Sequence, residues 1–475
     1  MSGLGVSSGG MSGVRATLLL LLLSTPAAAQ PLTQTEREAI DKAAQAALDA
    51  TGAPSASISV VRGGQIIYDQ AYGADGRITP RTAAVPSMRF GIGSISKQFT
   101  ATAILLLEEE RKLSLDDKVA KWYPQLTRAG NISVRQLLSM TAGYQDYWPQ
   151  DYVFPDMLNP VTPPAIMQRW AGKALDFDPG TKWQYSNTNY VIAAAIVERV
   201  AGTSFIDFLR QRIFTPLKMT SAADLNTNAL ETTDAQPLLR NALGPLRVAP
   251  KEAPGWLFGV GQLAMTAHDL SLWNIAVMNR AVLRPSSYTT QQTEVRLSTG
   301  AATGYGLGVT VSVQGGRRRI AHGGAVSGYT STSVIYPDDR ASIVVFTNIY
   351  PGGSGAADRI ASQIANVILP AAATAGNDSR DVARRIYDGL TKGIIDRALF
   401  TPAANAYFTQ EVLADYAGSL APLGAPAEFA PAGESQRGGM TIRIYRIRAG
   451  SVQMSLTMMT LPDGRIDQYI VSRAG

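Results

Sequence analysis

A serine and a lysine stand three residues apart, as Ser94 and Lys97, in the segment from Gly91 to Phe99. Residues three apart on a helix share one face, so the lysine amine can reach the serine hydroxyl. A lysine kept neutral by desolvation or by neighbouring cations can act as a general base toward such a serine. If Ser94 opens the helix, its backbone N–H also points toward a developing oxyanion. The structural alternative for the isolated pair is that Ser94 caps a core helix and Lys97 is solvated.

Two further motifs supply groups that a serine nucleophile needs. Tyr185 and Asn187 follow a turn and precede an apolar helical pattern. A tyrosine beside a lysine can act as an anionic base or relay a proton to a leaving group, and an asparagine amide can hold a substrate carbonyl or fix the lysine. The second motif is the run His322-Gly323-Gly324-Ala325, which precedes a predicted strand. Its glycines let a substrate backbone lie against the strand edge, and the N–H of Ala325 can be a second oxyanion donor.

In this order and at these separations, the three motifs resemble those of the serine β-lactamase-related hydrolases. That family includes class C β-lactamases, D-alanyl-D-alanine carboxypeptidases, D-aminopeptidases and the esterases that share their fold. The resemblance covers residues 32–369, and its supporting context includes Thr141-Ala142-Gly143. It implies a β-lactamase/transpeptidase-like fold.

The resemblance also implies a role for each motif. Ser94 would be the nucleophile, Lys97 and Tyr185 would share the acid and base work, and Asn187 would position the substrate. His322 would lie on the strand that lines the site, where Gly323, Gly324 and Ala325 would also bind substrate. The implied reaction is hydrolysis of an ester or amide bond through an acyl-enzyme, and it needs no metal or organic cofactor.

One departure from the family pattern bears on the substrate. Classical β-lactamases of this group have Lys-Thr-Gly where this chain has His322-Gly323-Gly324. That lysine helps to hold the substrate carboxylate, so its absence argues against efficient β-lactam hydrolysis. The alternatives left open are a D-amino-acid peptidase or D-Ala-D-Ala carboxypeptidase, a weak β-lactamase, and a non-catalytic ligand-binding or sensor protein with the same fold.

The elements that must position these residues follow from the hydrophobic pattern. Period-2 patterns and flanking turns predict strands at Ser57 to Val61, Ile66 to Tyr72, Leu307 to Val313, Tyr329 to Tyr336 and Ser342 to Thr347. Helical spacing predicts helices at Glu36 to Leu48, Phe99 to Leu107, Tyr190 to Val200 and Ala356 to Leu369. Strands at both ends with a helical middle indicate an α+β fold of the α/β/α sandwich kind. Its antiparallel sheet is flanked by helices and joined to a mostly helical subdomain.

The chain divides into four parts. Residues 1–29 have a basic residue, an apolar core and small residues before Gln30, which is typical of a secretory signal peptide. The hydrolase domain then spans residues 30–369, and a linker rich in small and polar residues spans 370–379. Residues 380–475 are predicted to form a small α+β accessory domain, with a helix at Arg380 to Leu390 and strands at Met440 to Arg446, Val452 to Thr460 and Ile466 to Val471.

Composition narrows the partners and the compartment. The chain has 43 basic and 37 acidic residues, a mild and scattered excess that indicates no nucleic-acid partner. It has no cysteine and two histidines, which excludes thiol catalysis and a multi-histidine zinc site. The leader's apolar run is too short for a permanent membrane anchor, so an exported periplasmic or secreted protein is expected. A small molecule or short peptide is the expected substrate, and the oligomeric state is left open.

Overall fold

A computed structural model describes residues 30–74, 82–150, 152–227, 230–314, 316–353, 355–369, 375–437, 440–461 and 464–473, together with residues 1, 3 and 5. The rest of the predicted leader and residues 370–374 of the predicted linker lie outside this description. In the part of the chain so described, no helix is long and apolar enough to cross a bilayer.

The helices and strands are numbered in chain order. The α-helices are α1 (Gln34–Thr51), α2 (Ser96–Glu109), α3 (Val134–Leu138), α4 (Pro163–Ile166), α5 (Asn187–Ala201), α6 (Phe205–Leu209), α7 (Ala267–Met278), α8 (Pro285–Gln291), α9 (Ala356–Ile368), α10 (Ala375–Leu390), α11 (Pro402–Tyr407) and α12 (Gln410–Leu420). The strands are β1 (Ser55–Arg62), β2 (Gln65–Gly73), β3 (Phe90–Gly91), β4 (Ala223–Asp224), β5 (Leu238–Arg240), β6 (Leu246–Val248), β7 (Leu263–Met265), β8 (Thr310–Gln314), β9 (Arg317–Val326), β10 (Tyr329–Tyr336), β11 (Ala341–Thr347), β12 (Glu428–Arg437), β13 (Met440–Ala449), β14 (Val452–Thr460) and β15 (Ile466–Arg473).

A six-stranded sheet joins the two ends of the hydrolase region. Its strand order is β2-β1-β11-β10-β9-β8, and every neighbouring pair is antiparallel. β1 pairs with β11 in a register that sets Ile58 opposite Val345. The sheet is therefore assembled from pieces distant in sequence, which confirms the predicted antiparallel α+β class.

Both faces of the sheet are covered by helices. In β11, Ile343 and Val345 belong to the core formed with α1 and α9, whereas Val344 and Phe346 belong to the core on the opposite face, where α7 packs. This burial on two sides explains why β11 has a continuous apolar run and not an alternating one. The result is the predicted three-layer sandwich.

The motif that contains Ser94 and Lys97 lies in the helical region between β3 and β8. Every residue of α2 from Ser96 to Leu107 is buried, as expected for a helix that is packed on all sides. Its polar side chains are satisfied: Thr100 donates to the carbonyl of Gly259 at 2.7 Å, and Gln98 accepts from the Trp273 indole at 3.2 Å. Because these contacts lie on different sides of α2, they fix the rotation of the helix about its axis.

Several predicted boundaries needed correction. The strand predicted from Leu307 starts at Thr310, because Gly308 takes a left-handed conformation with a φ of +74°. The strand that contains His322 begins with the three arginines 317–319, where Arg317 pairs with Asp339. The helix predicted from Arg380 starts at Ala375, inside the predicted linker.

The C-terminal part has a hydrophobic core of its own. Strands β12 to β15 form a four-stranded antiparallel sheet in sequence order, and α10, α11 and α12 contribute to the same core. Tyr387, Phe408, Tyr445, Leu456 and Tyr469 are buried in it. Neither α11, α12 nor β12 was predicted from the sequence.

Candidate active site

Ser94 lies in a single helical turn, Gly93–Ile95, that leads directly into α2. This turn packs against β9 and β10, and the hydroxyl of Ser331 on β10 donates to the carbonyl of Ile92 at 2.8 Å. Gly93 has a φ of +51°, and a Cβ placed on it would lie 2.6 Å from the backbone N of Ala325. The backbone around Ser94 and that of Ala325 are therefore in close contact, as two donors for one oxyanion require.

Lys97 is fully buried beneath Ser94 and makes three polar contacts. Its Nζ lies 2.9 Å from Ser94 Oγ, 2.9 Å from Asn187 Oδ1 and 3.0 Å from the carbonyl oxygen of Val260. The Asn187 and Val260 oxygens can only accept hydrogen bonds, whereas the serine hydroxyl can donate or accept. A neutral amine therefore donates its two hydrogens to those oxygens and has its lone pair left for the hydroxyl of Ser94.

The surroundings of Lys97 favour this neutral form. Burial lowers the pKa of Lys97 to about 7, and the negative charge of Asp146 opposes the shift. The amine is thus deprotonated in a large fraction of molecules near neutral pH. The structural alternative required a solvated Lys97, and it is wrong because this lysine is fully buried.

Tyr185 is held over the lysine by the segment that precedes α5. Its ring centroid lies 4.9 Å from Lys97 Nζ. The backbone nearby is anchored on Met140, whose carbonyl accepts from Gln184 N at 3.0 Å. Burial raises the pKa of Tyr185 well above its usual range, and an interaction with the Ser94 side chain partly offsets this effect. Tyr185 is therefore protonated at neutral pH and stands ready to donate or relay a proton.

Asn187 is the first residue of α5 and is oriented by an acidic residue. Its backbone N–H donates to Asp146 Oδ1 at 2.9 Å, and its side-chain Nδ2 donates to Asp146 Oδ2 at 3.3 Å. Its remaining polar atom, Oδ1, accepts from Lys97. Asn187 thus links the lysine to the wall of the cavity.

His322 lies on β9 and is 6% exposed. Its Nδ1 is 2.5 Å from the carbonyl of Gly323, so Nδ1 carries the proton, and Nε2 is 3.0 Å from the Tyr305 hydroxyl. Burial and the charge of Lys97 lower the pKa of His322 to about 4. The imidazole is consequently neutral at pH 7.

The two glycines after His322 differ in their surroundings. A Cβ on Gly324 would lie 2.0 Å from the carbonyl oxygen of Ile92 and 2.4 Å from Ser331 Oγ, so a side chain has no room there. A Cβ on Gly323 would meet its nearest atom at 3.6 Å, which is an ordinary contact. Gly324 is therefore required for the packing of β9 on the Ser94 turn, whereas exposed Gly323 leaves the strand open to a ligand.

One cavity of about 640 Å³ brings the predicted residues together. Its walls include Ser94, Tyr185, Asn187 and the run His322-Gly323-Gly324-Ala325, with Lys97 beneath them. The acidic residues Asp146 and Asp358 also line it, and among the described lining residues there is neither a lysine nor an arginine. The charges in the wall thus offer nothing to attract a substrate carboxylate.

Three contributors to the site were not predicted from the sequence: Asp146, Tyr305 and the carbonyl of Val260. Asp146 and Tyr305 lie in Gly143-Tyr144-Gln145-Asp146 and Gly304-Tyr305-Gly306, and neither segment has a further pattern that would predict a site residue. A backbone carbonyl has no signature in a sequence at all. Within the described ranges, no cluster of three or more histidine, aspartate and glutamate residues could hold a metal ion.

Comparison with known proteins identifies the family of the chain. The sequence model of the Beta-lactamase family matches residues 40–366, more than two thirds of the chain. The penicillin-binding protein 4* of Bacillus subtilis (strain 168) is 28% identical over 306 residues, which are 62% of this chain and 67% of that protein. The D-aminopeptidase of Brucella canis is 29% identical over 317 residues, which are 64% of this chain but only 58% of that enzyme.

Solved structures extend the similarity. A D-stereospecific amidohydrolase from Streptomyces sp. aligns with a TM-score of 0.60 and 26% identity, over 70% of this chain and 98% of its own. The octameric penicillin-binding protein homologue from Pyrococcus abyssi shares the fold, with a TM-score of 0.63 and 19% identity over 93% of this chain and 97% of its own. The chain therefore belongs to the beta-lactamase family of serine hydrolases.

Proposed function

We propose that the chain hydrolyses amide and ester bonds through an acyl-enzyme formed on Ser94. The observation that carries this proposal is the 2.9 Å contact between Lys97 Nζ and Ser94 Oγ, made by a buried amine whose other two partners can only accept. A binding protein has no use for a lone pair aimed at a serine hydroxyl. This arrangement favours catalysis over the non-catalytic sensor alternative.

Acylation follows from the contacts of the site. Neutral Lys97 takes the proton of Ser94, and Oγ attacks the substrate carbonyl carbon. The oxyanion that forms is stabilised by the backbone N–H groups of Ser94 and Ala325. As the tetrahedral intermediate collapses, the bond to the leaving nitrogen or oxygen breaks, and Tyr185 gives its proton to that atom while it recovers one from protonated Lys97.

Deacylation uses the same groups in reverse. A water molecule loses a proton to neutral Lys97, either directly or through Tyr185, which accepts the proton while it passes its own to the lysine, and the water oxygen attacks the ester carbonyl of the acyl-enzyme. Ser94 Oγ then leaves and takes a proton back, which restores the free enzyme. Because the pKa of Tyr185 is raised, this residue relays protons in its neutral form and does not serve as a standing anion. Lys97 is thus the first base of the cycle.

The charge of the cavity indicates the substrate class. At the position where the family resemblance leads one to expect a lysine, His322 is neutral, and Asp146 and Asp358 supply negative charge. A C-terminal carboxylate or a β-lactam carboxylate therefore finds no countercharge, whereas a substrate with a free amino group is tolerated. We propose amides and peptides of D-amino acids with a free amine, a choice supported by relatives named D-aminopeptidase and D-stereospecific amidohydrolase.

A substrate panel tests this choice with the purified enzyme. The panel contains D- and L-amino-acid p-nitroanilides, a short-chain p-nitrophenyl ester, a peptide ending in D-Ala-D-Ala and a chromogenic cephalosporin. Turnover of the ester and of the D-anilides, lost in Ser94→Ala, is the expected result. A clear preference for the cephalosporin or for the D-Ala-D-Ala peptide would replace the amidase proposal by a β-lactamase or carboxypeptidase.

We also propose that the protein is exported. The proposal rests on Arg15, the apolar run from Ala16 to Leu23 and the alanines 27–29 of the sequence. Expression of the full chain in a bacterium with a Sec pathway should give a periplasmic or secreted product whose N-terminus is Gln30. An uncleaved product retained in the cytoplasm would contradict export.

A further inference from the structure

We infer that Asp146 is a positioning residue that aims the lone pair of Lys97 at Ser94. The inference rests on the proposed function, since it assigns the orientation of the base in that reaction. Asp146 does not contact the nucleophile, and it acts through Asn187, which lies between it and the lysine.

The carboxylate of Asp146 is held by three N–H donors. Oδ1 accepts from the backbone N–H of Trp148 at 3.2 Å and from that of Asn187 at 2.9 Å, and Oδ2 accepts from Asn187 Nδ2 at 3.3 Å. Burial raises the pKa of Asp146, and the three donors oppose this shift because they favour the ionised carboxylate. They also fix the carboxylate in place without help from the lysine.

This arrangement decides which end of the Asn187 amide faces Lys97. A side-chain amide has an accepting oxygen and a donating NH₂ group, and the two ends have nearly the same shape. Because Asp146 can only accept, it takes the NH₂ end and leaves Oδ1 for the lysine. With the amide turned over, its NH₂ would donate to the lone pair of Lys97, and that lone pair would no longer be available to Ser94.

Asp146 also brings charge to the site. Among the described residues, Tyr185 and Tyr190 lie over Lys97 and His322 interacts with its charge, while Tyr305 lies behind them against His322. All four are neutral at pH 7, because burial raises the pKa of the tyrosines and lowers that of the histidine. The negative charge of Asp146 raises the pKa of Lys97 against the effect of burial. Removal of this charge should therefore lower the pKa of the lysine further.

The test compares pH profiles of kcat/KM for a p-nitrophenyl ester in the parent and three variants of the full mature chain. Asp146→Asn removes the charge and places the NH₂ group of its amide opposite the NH₂ group of Asn187. Asp146→Glu keeps the charge but moves the carboxylate. Thr188→Val is the matched control, because it removes a neighbouring link between the same two segments, a 2.7 Å hydrogen bond from Thr188 Oγ1 to the carbonyl of Gln145, and changes no charge.

In Asp146→Asn we expect the plateau of kcat/KM to fall roughly ten- to hundredfold, as misplacement of a catalytic group does. The acid limb of the profile should move to lower pH. Asp146→Glu should lose activity with its limb unmoved, and Thr188→Val should keep the limb of the parent. An Asp146→Asn limb that coincides with the parent's would overturn the inference, even if the plateau fell.

A second readout keeps this test separate from the proposed function. The titration of Lys97 Nζ can be followed by NMR in protein labelled with ¹⁵N-lysine, its signal assigned by its loss in Lys97→Met. The signal should titrate at lower pH in Asp146→Asn whether or not an ester is hydrolysed, and an unchanged titration would overturn the inference. Failure of the parent to hydrolyse any ester or amide would instead count against the proposed function.

Discussion

At the scale of the residue, the burial of Lys97 lowers the stability of the folded state and raises the basic reactivity of its amine at neutral pH. Its ammonium would be fully buried with no carboxylate in direct contact, so folding disfavours the charged form. The lowered pKa of about 7 expresses this cost, and the same shift gives the enzyme a base at neutral pH. We therefore expect Lys97 to destabilise the folded state and to act as the base of the proposed reaction.

Lys97→Met should abolish turnover and stabilise the protein at pH 7 by on the order of 1 to 2 kcal/mol. The folded-state pKa of Lys97 lies below its ordinary value of 10.5, so between about pH 7 and pH 10.5 the unfolded chain binds more protons than the folded one. The contribution of Lys97 to stability therefore rises with pH across that window. Chemical denaturation should show the stability advantage of the variant over the parent shrink and then reverse from pH 7 to pH 10; an advantage that grows would contradict the assignment.

The residues of the site differ in how far they could be predicted from the sequence. Short sequence motifs contain four residues of the site: Ser94, Lys97, Tyr185 and Asn187. Their spacing can be interpreted because residues three apart on a helix share one face, and a loop then brings the tyrosine over them. Asp146 shows no such pattern. Its importance arises from a contact with a residue 41 positions away, which only the folded chain reveals.

At the scale of the element, the decisive contact is the approach of β9 to the turn before α2. Ser331 and Gly324 face each other across β10 and β9 and enclose the carbonyl of Ile92. This contact sets the distance between the nucleophile and Ala325. The two proposed oxyanion donors are thus positioned by backbone packing together with the hydrogen bond from Ser331.

Gly324→Ala should lower the melting temperature and the rate of acylation together, since its Cβ would lie 2.0 Å from the Ile92 carbonyl oxygen. A destabilisation of about 1–3 kcal/mol is expected from such overpacking. Gly323→Ala is the matched control for stability, because its Cβ would lie 3.6 Å from the nearest atom. Equal melting temperatures for the two variants would contradict the close packing described here.

Elements with strong apolar patterns were predictable, and polar ones were not. β10 and β14 have the predicted bounds, and α9 ends one residue earlier than predicted, because each shows clear apolar periodicity. β12 has the sequence EFAPAGESQR, whose proline and charges obscure any strand pattern. β12 forms because β13 is long enough to pair with it from Glu428 to Arg437.

At the scale of the whole molecule, the catalytic cavity and the C-terminal part use separate cores. All residues that line the cavity lie between Ser94 and Asp358. The core cluster of the C-terminal part is made by residues between 382 and 471, and the two clusters around the main sheet include none of them. The similarity to the Pyrococcus abyssi protein extends over 93% of the chain, so this second part belongs to a shared architecture.

A chain of residues 30–369 should therefore fold and keep its turnover of small esters. The expectation follows because the cavity and both cores of the sandwich are complete without residues 375–473. Circular dichroism and kcat/KM on a p-nitrophenyl ester are the measurements. A folded but inactive fragment would show that the C-terminal part contributes to the site after all.

The central claim is that Ser94 carries the acyl group, and trapping that intermediate tests it most directly. The mature enzyme is mixed rapidly with an excess of a p-nitrophenyl ester, quenched in acid, digested and mapped by mass spectrometry, beside Ser94→Ala. We expect a burst of p-nitrophenol and an acyl mass on the peptide that contains Ser94, both absent from the variant. Turnover without any adduct on Ser94, or an equal burst from Ser94→Ala, would contradict it.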